Sequence, residues 1–389
     1  MLHTNKFSSE RLAGRIDEVI DQTLADKRLV GAVIKVAIDG KVVYSRAAGY
    51  ADREMNRLMR EDALFRLASV TKPIVTTAAL ALVGQGLLKL DDRVDHWLPN
   101  FQPRLQNGEF ALLTVRHLMT HTAGLTYRFF QEENGSYHQA GVSDGMDQPG
   151  ISLEENLIRL ASVPLLYTPG TEWKYSIATD VLGAVIEKVT GTPLSEAVHS
   201  LVTKPIGMSD TSFIAIDPER LTTAYTNEVP EPRPLLEHDS IPFLEGTAGF
   251  RLSPRRALDD TAYPSGGAGM IGSADDFLVL LETLRNGGAP LLPQSLVHEM
   301  STNQIGDLPM AFWPGRGFGL GITVLKDPVS ANTPESPGTW RMGGTYGHSW
   351  FVDPNQRLSV VAFTNTALEG MSGQFTVDLC DAVYDGLNK

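Results

Sequence analysis

Apolar residues at helical spacing predict a helix over residues 9–28 at the beginning of the chain. The residues on its apolar face are Leu12, Ile16, Val19, Ile20 and Leu24. Two runs rich in β-branched residues follow, at 30–38 and 42–48. Asp39 and Gly40 between them are typical of a two-residue hairpin turn, so the pattern predicts an antiparallel pair of strands.

The end of the chain returns to strand patterning. Strands are predicted over residues 317–324, 345–352 and 358–364, and the turn 353–356 joins the last two as a hairpin. A final amphipathic helix is predicted from about Gln374. Hairpin-joined strands at both ends of the chain predict one mostly antiparallel sheet.

Between the two strand regions, helical patterns alternate with loops rich in proline and glycine. The clearest predicted helices cover residues 153–161 and 178–189. We therefore predict an α/β fold of the α+β type, in which residues 1–95 and 261–389 form a domain with a mostly antiparallel sheet flanked by helices. Residues 96–260 are predicted to form an inserted, mainly helical domain with an irregular crossing segment.

The most informative segment is Ser69-x-x-Lys72, which opens an apolar run over residues 74–90. A helix that is apolar nearly all round is buried, and a buried lysine at its head needs a reason, because uncompensated burial of charge is expensive. On a helix that begins at Ser69, the two side chains share one face, one turn apart. A neutral amine beside a serine can take its proton and make the oxygen a nucleophile. The alternative for the tetrapeptide alone is a serine N-cap with a solvated lysine.

Two further segments carry candidate chemistry. Tyr175 lies between a Pro-Gly turn and the helix from Ala178, so its hydroxyl could face Ser69 across a cleft. It could shuttle a proton there if a cation lowers its pKa; the alternative is a packed loop aromatic. The Met-Gly-Gly segment 342–344 opens a C-terminal strand, where glycines would let a backbone N–H reach an oxyanion. The alternative for this segment is a β-bulge.

Two other motifs are interpreted as structural. Residues 141–145 match the Gly-x-Ser-x-Gly nucleophile elbow of α/β-hydrolases, but no apolar strand precedes them, so the match is interpreted as a chance loop. His117 and His121 have the i, i+4 spacing of a metal pair. No glutamate follows His117, and residues 122–124 end the helix, so packing or capping is the favoured role.

Composition narrows the classes of function. The chain has 389 residues, 42% of them hydrophobic, and a formal net charge of −13. It is therefore globular, and the acidic balance argues against nucleic acid as a partner, because nucleic acid is bound by cationic groups.

The single cysteine, Cys380, is predicted to be buried and cannot form a disulfide within the chain. Residues 1–7 lack a signal-peptide pattern and no apolar run reaches a membrane span of roughly 20 residues, so a soluble, cytoplasmic protein is expected.

In order along the chain, these segments resemble the serine β-lactamase and penicillin-binding-protein superfamily. Residues 65–72 resemble its first motif, and residues 114–125 resemble a Leu-Leu-Thr-His-Thr-Ser-Gly-Leu segment of class C β-lactamases and related esterases. Residues 175–177 occupy the position of the Tyr-x-Asn motif, and residues 342–344 that of Lys-Thr-Gly. Over nearly its whole length the chain is similar to family VIII carboxylesterases of the EstB type, in which a non-catalytic Gly-x-Ser-x-Gly loop is familiar.

The resemblance implies a serine β-lactamase-like fold and a catalytic set of Ser69, Lys72 and Tyr175, with Lys72 and Tyr175 coupled in proton transfer. It also implies that the backbone N–H groups of Ser69 and Thr345 hold the oxyanion. The implied substrate-binding residues are Tyr127, Asp180, Met342, Gly343, Gly344 and Trp350. The resemblance implies no metal and no other cofactor.

Two departures from the β-lactamase pattern bear on the substrate. Ile177 stands in place of an asparagine and Met342 in place of a lysine, and both changes make the cleft more apolar and favour neutral esters. We predict a serine carboxylesterase that hydrolyses small neutral, short-acyl esters through an acyl-enzyme on Ser69, with weak β-lactamase side activity. The alternatives are a β-lactamase or D-Ala-D-Ala-type peptidase, an acyltransferase, and, less favoured, a non-catalytic ligand-sensing module. The predicted partner is a small-molecule ester, not nucleic acid or membrane, and the oligomeric state is open.

Overall fold

The computed structural model describes residues 8–237 and 239–387, so the expectation about a signal peptide in residues 1–7 lies outside the described residues. The strands are β1 (Gly31–Ile38), β2 (Lys41–Asp52), β3 (Arg57–Leu58), β4 (Phe65–Arg66), β5 (Ser240–Ile241), β6 (Phe250–Arg251), β7 (Ile271–Gly272), β8 (Arg316–Phe318), β9 (Thr323–Leu325), β10 (Trp340–Gly344), β11 (His348–Asp353) and β12 (Leu358–Thr364).

The helices are α1 (Ser9–Ala25), α2 (Thr71–Gly84), α3 (Val94–Trp97), α4 (Val115–Met119), α5 (Ser136–Gln139), α6 (Leu153–Ala161), α7 (Ala178–Thr190), α8 (Leu194–Val198), α9 (Ala274–Arg285), α10 (Gln294–Met300), α11 (Pro328–Ala331), α12 (Glu369–Ser372) and α13 (Gln374–Leu387). Short 3₁₀ turns cover Ala68–Val70, Arg128–Phe130, Lys204–Ile206 and Pro254–Leu258, and a π-helical turn covers His199–Thr203. Within the described ranges, no helix is long and apolar enough to cross a membrane.

An eight-stranded antiparallel sheet, in the order β3-β2-β1-β12-β11-β10-β9-β8, forms the centre of the fold. β1 lies between β2 and β12, so the hairpin from the beginning of the chain pairs with the hairpin from its end. In this register Val36 lies opposite Tyr44 on β2 and Val360 on β12. The predicted fold class, a mostly antiparallel sheet built from both ends of the chain and flanked by helices, is confirmed.

The two faces of the sheet are covered by different helices. Ala32, Ile34 and Val36 of β1 pack in a layer with α1 and α13, which also contact each other. Val33 and Ala37 belong to the larger core on the opposite face, where α9 contacts β1 and β12. This alternation follows from the two-residue period of a strand. Ala68 and Val70 belong to the larger core, so the segment that carries Ser69 lies on the α9 side.

The predicted buried helix is α2, and its residues are buried from Thr71 to Leu82. It begins at Thr71 and not at Ser69, which corrects the sequence prediction. The 3₁₀ turn Ala68–Val70 precedes it, in which the Val70 N–H donates to the carbonyl oxygen of Leu67, three residues back, at 3.0 Å. Ser69 therefore lies in a tight turn immediately before the helix that carries Lys72.

The predicted strand over residues 317–324 is wrong as a single element. Two short strands, β8 and β9, occur there instead, joined by a turn in which the Gly319 N–H donates to the Ile322 carbonyl oxygen at 2.8 Å. Gly321 takes a φ of +76° in this turn. Glycine adopts positive φ without steric cost, and the apolar pattern does not reveal where it does so.

The predicted strand over residues 345–352 is also too long. Residues 345–347 form a turn, in which Gly347 has a φ of +113° and donates its N–H to the Gly344 carbonyl oxygen at 2.8 Å. β11 therefore begins at His348. The turn joins β10 to β11 and leaves its backbone beside the catalytic segment.

The middle of the chain supplies the helices that pack against α2. α6 has the predicted bounds, and α7 ends one residue later than predicted, closed by Gly191 with a φ of 69°. One apolar cluster extends from Val33 to Leu368 and includes residues of both predicted domains. The predicted boundary at residue 95 falls inside α3, and the division into two domains stays a prediction.

Candidate active site

Ser69 lies in the tight turn between β4 and α2, and neighbouring backbone groups fix this turn. The Leu67 N–H donates to the Met270 carbonyl oxygen at 2.8 Å, and the Met270 N–H donates to Thr71 Oγ1 at 3.1 Å. Ala68 is fully buried at a φ of 45°, a conformation that costs a non-glycine residue on the order of 1–3 kcal/mol and is common at functional sites. The surroundings thus hold a strained residue directly before Ser69.

Lys72 is fully buried and points its amine at the serine. Its Nζ lies 3.1 Å from Ser69 Oγ and donates to the Gly267 carbonyl oxygen at 2.9 Å. Burial lowers the pKa of Lys72 from 10.5 to about 7, and the nearby carboxylates of Asp180 and Asp144 oppose that shift. Near pH 7 a substantial fraction of the amine is therefore neutral and able to accept a proton.

Asp180 fixes the loop that receives Lys72. Its Oδ1 accepts from Ser265 Oγ at 2.7 Å and from the Gly267 N–H at 2.9 Å, and the residue is fully buried near the start of α7. Asp180, named as substrate-binding from the sequence, thus lies behind Lys72 rather than on the surface of the cleft. Gly267 was missed by sequence reasoning, although a Cβ there would lie 3.0 Å from the Tyr127 hydroxyl and leave little room for a side chain.

Tyr175 lies on the other side of the same amine. Lys72 Nζ is 4.7 Å from the centre of the Tyr175 ring and 5.2 Å from that of Tyr127. Burial raises the pKa of Tyr175 above its usual 10, while Ser69 lies close enough to oppose the shift. The Tyr175 hydroxyl makes no hydrogen bond of good geometry among the described residues. The sequence argument invoked a cation that lowers this pKa, whereas in the structure desolvation prevails and the phenol is protonated at neutral pH.

The two histidines have different structural roles. His117 caps α4, since the Thr114 N–H donates to His117 Nδ1 at 3.2 Å and the His117 N–H donates to Thr114 Oγ1 at 3.3 Å. His121 lies beyond the helix and is buried against the Tyr175 ring, with ring centres 4.8 Å apart. No group of three or more potential metal ligands occurs in residues 8–237 and 239–387.

β10 lies over the turn that carries Ser69, and its two faces differ. A Cβ on Gly344 would overlap the Leu67 carbonyl oxygen, so the face shared by Gly344 and Met342 is turned toward the catalytic segment. A Cβ on Gly343 would instead meet Met371 Cγ at 2.8 Å, so that residue faces away. Met342 therefore lies on the face turned toward the Ser69 turn, and its role in substrate binding stays a prediction.

Thr345 and Trp350 differ in what they can offer a substrate. Thr345 follows β10 directly, and its N–H has no acceptor in the part of the chain that the structure describes. Trp350 is buried in the core, edge-on to Phe277 of α9 with ring centres 5.5 Å apart. The Thr345 amide is thus free to face an oxyanion, whereas Trp350, predicted as substrate-binding, packs against α9 on the same sheet face as Met342.

The Gly-x-Ser-x-Gly loop is a buried polar network and has no strand before it. Ser143 Oγ donates to Asp147 Oδ1 and accepts from the Gly145 N–H at 3.1 Å, and Asp147 pairs with Arg128 at 2.9 Å. The neighbouring Asp144 accepts from the backbone N–H groups of Arg128 and Phe129 at 2.7 and 3.0 Å. The loop thus holds the segment after Tyr127. The sequence analysis interpreted it as a chance loop match, and it did not foresee that the loop is buried.

Aromatic rings form one wall of the cleft. Tyr127 lies 5.5 Å from Tyr175 and stacks on Phe129 at 4.7 Å, and Phe130 continues the series to Phe312, at 6.1 Å between ring centres. Phe312 is 55% exposed and lies at the rim. Tyr127, Phe129 and Phe130 are neighbours in sequence, but Tyr175 and Phe312 come from distant segments, so periodicity could not assemble the series. Tyr127 and Tyr175 were named from the sequence, and the three phenylalanines were not.

Comparison with known proteins shows clear relatives. The Beta-lactamase family profile matches residues 16–379. Esterase EstB of Burkholderia gladioli is 51% identical over 96% of this chain and 95% of its own length. The solved structure of EstCE1, a hydrolase with promiscuous acyltransferase activity, has a TM-score of 0.95 and 46% identity, covering 97% of this chain and 99% of that one. Simvastatin synthase of Aspergillus terreus shares the fold, with a TM-score of 0.75 at 24% identity over 96% of this chain and 94% of that one.

Proposed function

The chain belongs to the beta-lactamase family, and we propose that within it the protein is a serine esterase that hydrolyses small neutral esters through an acyl-enzyme on Ser69. The observation that carries the proposal is the buried Lys72 amine, 3.1 Å from Ser69 Oγ, with its pKa lowered to about 7. A serine beside an amine that is partly neutral at physiological pH is equipped for nucleophilic attack on an acyl carbon.

Acylation begins as Ser69 Oγ attacks the ester carbonyl carbon and Lys72 takes the hydroxyl proton. The backbone N–H groups of Ser69 and Thr345 stabilise the negative charge that develops on the carbonyl oxygen. When the bond to the alcohol breaks, Tyr175 donates its phenolic proton to the leaving oxygen, and Lys72 passes its own proton to Tyr175. One proton moves from serine to alcohol, and both partners return to their starting states.

Deacylation repeats these transfers with water as the nucleophile. Water attacks the acyl carbon, and its proton passes through Tyr175 to Lys72. The bond between the acyl carbon and Ser69 Oγ then breaks, and the proton held by Lys72 returns to the Ser69 oxygen. The raised pKa of Tyr175 supports a phenol that acts mainly as a proton donor and relay, with Lys72 as the resting base. Because the two groups are adjacent, they act as one unit in proton transfer.

Support for neutral substrates comes from the walls of the cleft. Met342 offers no cation to a substrate carboxylate, and Ile177 offers no amide. The aromatic rings from Tyr127 to Phe312 extend from buried positions beside Tyr175 to the exposed Phe312. A carboxylate that entered this cleft would lose its hydration without gaining a charged partner, so neutral esters are favoured over β-lactams.

The test compares kcat/KM for p-nitrophenyl butyrate with kcat/KM for a chromogenic cephalosporin. Faster turnover of the butyrate ester, abolished by Ser69→Ala, is expected. Faster turnover of the cephalosporin would overturn the choice of esterase over β-lactamase. Absence of any turnover or burst across an ester panel would favour the non-catalytic alternative.

A second candidate, acyl transfer to an alcohol, is favoured by the description of the neighbour EstCE1 as a hydrolase with promiscuous acyltransferase activity. The acyl-enzyme on Ser69 would then react with an alcohol in place of water. Product analysis with competing alcohols decides between the two fates, since an ester product marks transfer and a free acid marks hydrolysis. A cytoplasmic location remains part of the proposal, based on the sequence expectation alone.

A further inference from the structure

We propose that His121 is a positioning residue, whose imidazole and backbone hold Tyr175 at the orientation needed for proton transfer. The inference rests on the proposed function, because it assigns His121 a task in the reaction at Ser69. His121 was interpreted from sequence as a packing or capping residue, and the reaction steps above do not use it.

His121 contacts three consecutive residues of the loop that carries the phenol. Its carbonyl oxygen accepts from the Lys174 N–H at 3.0 Å, and its ring lies 4.8 Å from the Tyr175 ring. Its Nδ1 lies 3.2 Å from the Ser176 backbone nitrogen and 3.0 Å from Ser176 Oγ. The residues on both sides of Tyr175 are thus tied to one histidine, while the Tyr175 hydroxyl itself has no such anchor among the described residues.

The hydrogen bonds of His121 show which of its two ring nitrogens carries the proton. The Ser176 N–H can only donate, so Nδ1 is the acceptor and the proton is on Nε2. Nε2 is buried with no hydrogen-bond partner in residues 8–237 and 239–387. Burial, with a smaller effect from Lys72, lowers the pKa of His121 well below 6.5, so the ring stays neutral and adds no charge beside the amine.

The backbone of His121 sets the choice of substitutions. Its φ of 57° is in the left-handed region, which asparagine tolerates better than most residues. The Oδ1 of an asparagine can also accept from the Ser176 N–H in place of Nδ1. His121→Asn therefore preserves the acceptor for the Ser176 N–H. His121→Leu removes that acceptor and puts an apolar side chain of comparable bulk in its place.

The experiment measures kcat and KM for p-nitrophenyl butyrate, together with the rate of Ser69 labelling by a fluorophosphonate. We expect His121→Leu to lower kcat and the labelling rate about 10- to 100-fold, the usual effect of misplacing a reacting group, with KM changed less than about 3-fold. His121→Asn should recover most of the loss. His117→Ala is the matched control, since it uncaps α4 and should lower the melting temperature while leaving kcat within about 2-fold.

A double-mutant cycle separates positioning from a merely structural role. If His121 acts through Tyr175, then His121→Leu should add little to the loss already caused by Tyr175→Phe, because effects within one unit are not additive. Fully additive losses, or a His121→Leu variant with wild-type kcat and labelling rate, would overturn the proposal. Failure of His121→Asn to recover more activity than His121→Leu, with both variants folded by melting temperature, would overturn it as well.

If the protein is not an esterase, the same assays give a result that differs from failure of the His121 proposal. In that case the wild-type protein would not turn over the butyrate ester, and the labelling rate of Ser69 would still report whether His121 affects the nucleophile. Reduced labelling in His121→Leu would then uphold the positioning role without the ester substrate, and unchanged labelling would refute it.

Discussion

Replacing Asp180 by asparagine should move the acid limb of the pH–rate profile toward lower pH. The carboxylate of Asp180 raises the pKa of Lys72, against the larger lowering effect of burial that brings it to about 7. Turnover needs the neutral amine, so activity rises as pH increases through that pKa. Asparagine removes the charge but keeps an Oδ1 that can accept from Ser265 and Gly267, as the carboxylate does at 2.7 and 2.9 Å.

The size of the shift follows from the charges. An opposite charge nearby typically moves a pKa by about 1–3 units. Burial raises the pKa of Asp180 itself. Asp180 and Lys72 meet on opposite groups of Gly267, its N–H and its carbonyl oxygen, and not in a direct hydrogen bond, so the lower end of that range applies. A shift of about 1 unit would increase the neutral fraction of Lys72 at pH 6 roughly five-fold, from about a tenth to a half.

The assay is the dependence of kcat/KM on pH for p-nitrophenyl butyrate, with each curve scaled to its own plateau. Asp276→Asn is the matched control, because Asp276 is a mostly buried carboxylate on α9 that hydrogen-bonds Thr211 at 2.8 Å and does not act on Lys72. If the acid limb of Asp180→Asn lies at the same pH as in the wild type or at a higher pH, the reasoning is refuted, because the Asp180 carboxylate then does not stabilise the charged form of Lys72.

Further expectations concern single side chains. Ser143→Ala should retain turnover and lose about 1–3 kcal/mol of unfolding free energy, because a buried hydrogen bond to Asp147 is removed; a loss of activity in the folded variant would contradict this. Met342→Lys should raise kcat/KM for carboxylate-bearing cephalosporins relative to short neutral esters by roughly 5- to 150-fold, which corresponds to about 1–3 kcal/mol for a charged hydrogen bond. An unchanged ratio in a folded variant would mean that Met342 does not face the substrate. Lys72→Met should abolish turnover yet stabilise the fold by about 1–4 kcal/mol. The Lys72 pKa is lowered on folding, so the wild-type amine destabilises the protein most below pH 7 and progressively less toward pH 10.5; melting curves across pH should therefore show the largest gain at low pH.

The sequence predicted those parts of the fold that local pattern controls. β12, α6 and α7 were placed within a residue of their bounds, because apolar periodicity and flanking Gly or Pro residues report such elements directly. The turns at 319–322 and 345–347 were missed, because they depend on backbone angles of individual glycines that leave no periodic signal.

The site was predictable only where its chemistry is local. Ser69 and Lys72 are three residues apart, so the short turn before α2 and the first turn of α2 bring them together. Gly267 reaches Lys72 from almost 200 positions away in the chain, and the role of Asp180 depends on that contact. The raised pKa of Tyr175 could not be predicted for a related reason, because sequence reveals a possible cation but not the extent of desolvation.

The central claim is that Ser69 is the nucleophile, and covalent labelling tests it most directly. The protein is incubated with a fluorophosphonate, digested, and mapped by mass spectrometry. The adduct is expected on the peptide that contains Ser69 and should be absent from Ser69→Ala, with ester turnover lost in parallel. An adduct on Ser143, or undiminished turnover in Ser69→Ala, would contradict the account.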